Sequence, residues 1–98
     1  MAFIQIMEMR TKKVDEIMKL DKEWEQATEG KRTLSRAIVG RDRNDPERHV
    51  IIAFFDDYES AMQNSNLPET QELAGKLMSL TEGQPNFHDL DIVEDKSF

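Results

Sequence analysis

Apolar positions change their spacing along this chain, and each change marks an element. Between residues 2 and 10 (AFIQIMEMR) they alternate, with Phe3, Gln5, Met7 and Met9 on one side and Ile4 and Ile6 on the other, as in a strand. From Val14 to Thr28 the period lengthens: Ile17, Leu20, Trp24 and Ala27 form one helical stripe, with Lys19, Lys22, Glu23 and Glu25 outside it. Gly30 follows where a left-handed C-terminal cap is expected. Thr33 to Asp42 predicts a second strand. The RNDPER segment then supplies a turn, because Asn and Asp tolerate tight local geometry and Pro46 presets its own φ. His49 to Phe55 predicts a third strand, carrying Ile51, Ala53 and Phe55 on one side and Val50, Ile52 and Phe54 on the other.

Asp56 or Asp57 can cap a short helix, with Glu59 complementing its dipole and Tyr58, Ala61 and Met62 on its inner face. Asn66 before Leu67-Pro68-Glu69 repeats the start signal, and Leu73, Leu77 and Leu80 predict the next helix. Gly83 and Pro85 end it, and Asn86 to Glu94 alternates as a last strand. The order is βαββαβ, with the second helical region broken near Ser65 to Leu67. This is an α+β arrangement with one antiparallel sheet and, because the crossovers are right-handed, helices on one face.

The other face needs a cover. Phe3, Met7, Met9, Ile51, Ala53 and Phe55 are read as that bare face, and burying each is worth on the order of 1.5–3 kcal/mol. A second copy of the chain is the simplest cover, so a homodimer with face-to-face sheets is expected.

Ninety-eight residues predict a single domain, residues 1–98. Without cysteine there is no disulfide, thiolate nucleophile or Cys-based zinc site, and a cytoplasmic location is the default reading. The N-terminal apolar run is too short to span a bilayer, so no membrane partner is expected. The net charge of −7 is uneven: residues 1–55 carry eleven basic and ten acidic groups, residues 56–98 two and ten. An acidic surface repels phosphate backbones, so no nucleic-acid partner is expected either. RNA-recognition domains share this strand order but need a basic, aromatic sheet face, and here that face is mostly aliphatic.

The NDPERHVIIAFF hairpin and strand and the DYESAMQNSNLPETQELAGKL helix pair resemble the antibiotic-biosynthesis-monooxygenase-like proteins of the dimeric α+β barrel superfamily, over residues 2–94. Asp56 to Thr70 is similar to actinobacterial members with an SYEAAM-NS--PET pattern. The resemblance implies a ferredoxin-like sheet in a dimeric barrel. It also implies a small apolar or aromatic ligand and, where there is chemistry, oxygenation of a phenol or quinol with no metal, flavin or other cofactor. Catalytic relatives commonly have Trp at the end of the third strand and His on the following helix. Here Phe55 and Gln63-Asn64-Ser65 stand at those places, which favours the alternative of a noncatalytic binding or interaction module.

Several side chains are candidates for a site. His49 can exchange protons near neutral pH, or can be a solvent-facing strand-end residue. Gln5 is polar on an apolar face and needs a partner such as Arg36, or a ligand. Arg36 can hold an anion, or pair across strands with Asp89 or Asp91. His49, Arg36 and Gln5 are the expected catalytic set. Trp24, Phe55, Met7, Ile51 and Asn64 are the expected substrate-binding set, with core packing the rival role for Trp24 and helix capping for Asn64 or Asn66. His88 is read as partly buried and structural. Asp89 and Asp91, two apart on one strand without a third ligand, predict no metal site.

Overall fold

A computed structural model describes residues 2–98. The elements are β1 (Phe3–Arg10), α1 (Val14–Ala27), β2 (Arg36–Arg41), β3 (Arg48–Phe55), α2 (Tyr58–Ser65), α3 (Pro68–Met78) and β4 (Asn86–Asp91). One antiparallel sheet runs β2-β3-β1-β4, with the helices on one side, the ferredoxin-like arrangement the sequence predicts.

Local chemistry accounts for most boundaries. Asp57 caps α2 by accepting from the Ser60 N–H. That backbone hydrogen bond, ahead of the Ser60 hydroxyl, holds the Asp57 carboxyl below the usual carboxylate range. Thr28 closes α1 by donating its hydroxyl to the Trp24 carbonyl, and Gly30 takes φ +82° in the turn that follows. Between α2 and α3 the chain stops being helical because Pro68, at the start of α3, pushes Leu67 into an extended conformation. Asn66 is the C-cap of α2, and among the described residues neither Asn64 nor Asn66 caps through its side chain, contrary to expectation.

Two strands are shorter than the sequence pattern predicts. β2 begins at Arg36 because Thr33 donates to the Ser60 carbonyl and Leu34 packs near Phe3 and Phe55, drawing residues 33–34 towards α2. β4 ends at Asp91 because β1 offers it little further backbone; the last bond runs from the Ile92 N–H to the Ala2 carbonyl.

The expected assignment of sheet faces is reversed. Phe3, Met9 and Phe55 are buried under the helices, and Phe3 and Phe55 form the core with Ala61 of α2. Met7, Ile51 and Ala53 share that side by register. The open face carries Ile4, Ile6, Ile38, Val50, Ile52, Phe54 and Leu90. Both sides alternate as apolar, so apolar content could not decide between them. On the two central strands the charged side chains decide: Glu8, Arg10 and Arg48 all fall on the even-numbered side, where they stay in reach of water.

Candidate functional site between the sheet and the helices

The backbone of α2 approaches β1 and β3 most closely, while α1 packs on α3. The helix-side face is therefore sealed unevenly. At one end Phe3, Phe55 and Ala61 close it, with Tyr58 edge-on to Phe3 at 5.5 Å. At the other end the cross-strand partners Met9 and His49 are buried. Between these ends Gln5, Met7 and Ile51 remain half-buried although they lie on the two central strands. They are flanked by Val39 on β2 and by Phe87 on β4, which is 59% exposed. Solvent reaches the middle of this face and not its ends.

Three polar side chains belong to this region. Gln5 donates through Nε2 to Asp89 Oδ1 at 3.1 Å; Asp89 lies directly opposite it on β4. An ionised carboxylate only accepts, so this bond fixes the amide and leaves the Gln5 Oε1 available. His49 is 3% exposed, with Nδ1 3.1 Å from the Glu47 carbonyl. A carbonyl also only accepts, so Nδ1 carries the proton, and in the neutral ring Nε2 keeps a lone pair. Asn64 is 7% exposed and shares the inner stripe of α2 with Ala61, one turn away. Its Oδ1 is buried and has no hydrogen-bond partner among the described residues.

The structure thus places Gln5, His49, Met7, Ile51, Phe55 and Asn64 on the interior side of the sheet or of α2. His49 is not the solvent-facing strand-end residue that its position after Arg48 predicts: β3 already starts at Arg48, and Glu47 anchors the ring. Arg36 is not brought to the same side. It lies on the open face with its guanidinium 5.2 Å over the Phe54 ring. Nor can it reach Asp89 or Asp91, since β2 and β4 form opposite edges of the sheet. Gln5 accordingly pairs with Asp89 and not with Arg36. Trp24 is buried with its indole N–H donated to Thr70 at 2.9 Å, and it lines a depression of about 120 Å³ between α1 and α3 with Leu20 and Leu73. Burial raises the Asp21 carboxyl on α1 above its usual range, with Glu25 adding to the effect.

A second polar group lies on the open face. Arg48 donates to Glu8 at 2.8 Å and to Asp42 at 3.2 Å, beside a recess of about 210 Å³ lined by Met9, Arg10, Glu82, Gln84 and Asn86 as well. Against expectation His88 is exposed, because its side chain lies on this uncovered face, 3.9 Å from Glu8. Only the β4–β1–β3 register brings these residues together, and no spacing in the sequence signals it.

No protein-family model and no curated protein matches this chain. Solved structures do. A conserved protein from Methanosarcina mazei superposes with a TM-score of 0.79 at 19% identity, over 91% of this chain and 90% of that one. SnoaB, a cofactor-independent oxygenase from Streptomyces nogalater, gives 0.80 at 13% identity over 96% and 95%. A provisionally designated antibiotic biosynthesis monooxygenase from Chloroflexus aurantiacus gives 0.74 at 19% identity over 99% and 98%. This chain has their fold. The neighbours come from bacteria and archaea alike, so the likeness is not particular to actinobacteria.

Proposed function

We propose that this chain is an antibiotic-biosynthesis-monooxygenase-like protein that binds a small, largely apolar aromatic molecule between its sheet and helices. Asn64 carries this reading. An unpaired buried amide oxygen costs about 1–3 kcal/mol, and a ligand hydroxyl donating to it would remove that cost. Met7, Ile51 and Phe55 supply apolar surface on the helix side of the sheet, where Gln5 Oε1 is a second acceptor.

In the catalytic form of this proposal the ligand is a phenol or quinol. His49 Nε2 takes the hydroxyl proton, and the electron-rich anion reduces O₂ directly. One oxygen atom bonds to a ring carbon and the other leaves as water, so a phenol becomes a quinone and supplies all four electrons. A binding role without chemistry is the second reading, favoured by one observation: His49 sits at the sealed end of the face and not in its accessible middle.

Oxygen uptake by metal-free protein with a naphthol, alongside calorimetric binding of the same compound, separates the two. Uptake that is lost in Asn64→Leu and His49→Gln supports catalysis at this site. Binding without uptake leaves the second reading, and binding unchanged in Asn64→Leu removes the site itself.

We further propose a homodimer in which two copies pack through their open faces, in the cytoplasm, where a cysteine-free chain loses nothing to reduction. The aliphatic face needs a cover. Among the described residues no helix is long and apolar enough to cross a membrane.

A further inference from the structure

One row on the helix side of the sheet differs from its neighbours. Ala37, Ala53, Gln5 and Asp89 stand side by side from β2 to β4. Along the strands this row is flanked by the sealed pair Phe3 and Phe55 and, on the other side, by the larger side chains of Ile51 and Met7. Two alanine methyls rise less than either flank, so the face dips there, and the dip ends at two polar groups. Gln5 is half-buried and Asp89 is exposed.

A glutamine amide has nearly the same shape at its two ends and opposite chemistry. Oε1 accepts, Nε2 donates, and a half-turn about the last bond exchanges them. Left alone, Gln5 could serve a ligand carbonyl as readily as a ligand hydroxyl. The Asp89 carboxylate removes that freedom. It only accepts, so it holds Nε2 at 3.1 Å and turns Oε1 away from itself. The bond also polarises the amide, which makes Oε1 the stronger acceptor. Nothing on β2 competes for Asp89, because that strand is the far edge of the sheet. The second acceptor of the interior, Asn64 Oδ1, belongs to α2, the helix whose backbone comes nearest β1. Two acceptors on two elements call for two donors on one ligand.

We infer that Asp89 is a positioning residue that sets the Gln5 amide to receive a second hydroxyl, so that the site selects a dihydroxylated aromatic over the corresponding monophenol. This rests on the aromatic-ligand reading proposed above and adds what the site discriminates. Asp89 acts only through Gln5.

Calorimetric titration with 1-naphthol, 2-naphthol and the 1,5-, 1,6-, 2,6- and 2,7-dihydroxynaphthalenes tests this in wild type, Asp89→Ala, Gln5→Met and the double variant. In wild type at least one diol should bind about fivefold or more tightly than either naphthol, which is what one net hydrogen bond supplies. In Asp89→Ala that advantage should fall to about twofold or less, while naphthol affinity stays within twofold of wild type; a merely structural role would lower both. Gln5→Met should abolish the advantage, and adding Asp89→Ala to it should change nothing further, since the two residues act as one unit. Diols that bind no better than naphthols overturn the inference and leave the apolar site standing. An advantage kept in Asp89→Ala, or kept in Gln5→Met, overturns it equally. Failure of every compound to bind wild type overturns the aromatic-ligand reading along with it.

Discussion

Phe54 and Phe55 are adjacent in sequence and face opposite ways, and their surroundings show how differently the two sides of one sheet are built. Phe55 is sealed against Phe3 and Ala61, while Phe54 stays half-buried under the guanidinium of Arg36. The polar groups follow the same division. On the helix side they are isolated: Asn64 Oδ1 lacks a partner among the described residues, and His49 and Gln5 each use one atom. On the open side they are linked, from Asp42 through Arg48 and Glu8 to His88. Isolated polar atoms in an apolar setting suit a small ligand that completes their bonding, whereas a connected row beside exposed isoleucines suits a flat partner.

The comparison breaks most visibly at the sealed core. Phe55→Ala should lower unfolding free energy by about 3–5 kcal/mol in urea titration, the range for emptying a buried aromatic site. A loss no larger than that of Phe54→Ala would mean the two faces are not distinct. Next in size is Ile52→Asp, which sets a carboxylate at the centre of the open face. It should weaken the dimer by about a hundredfold or more, roughly 2.7 kcal/mol, while far-ultraviolet circular dichroism stays unchanged. Affinity within threefold of wild type would move the interface elsewhere.

Asn64→Leu should have a smaller effect of opposite sign. Replacing an unsatisfied amide by an apolar group of similar size should stabilise the protein by about 1 kcal/mol while abolishing ligand binding. Destabilisation by a similar amount would show that Asn64 already has a partner. The smallest effect concerns Asp57. Its carboxyl titrates below the unfolded value, so its contribution to stability is complete above the ordinary carboxylate range and is lost as pH falls through the lowered folded value. Asp57→Asn keeps the cap without the titration, so its melting temperature should fall less than that of wild type between pH 5 and pH 3.

Some of this division was legible in the sequence. The hairpin at Asn44 to Glu47, the Asp57 cap and the break before Pro68 are local chemistry, and they appear where the residues put them. Which side of β1 and β3 meets the helices was legible only in Glu8, Arg10 and Arg48 at one end of the two strands, because Phe3, Met7 and Met9 alternate with Ile4 and Ile6 and both rows are apolar. Arg36 misled for a different reason. Its pairing with Asp89 or Asp91 would need β2 beside β4, and only the strand order separates them. His49 was misplaced because its burial depends on a backbone carbonyl two residues away, which has no signature in residue type.

Trp24 is the chain's one tryptophan, and it lies in the seam between α1 and α3 with its N–H tied to Thr70. Its emission is thus a built-in optical gauge of the helix layer alone. A molecule entering beneath the helices and prising that seam would shift the spectrum, whereas two copies meeting on the far face of the sheet would leave it dark to the event. One cuvette can therefore tell which side of the protein a given partner has found.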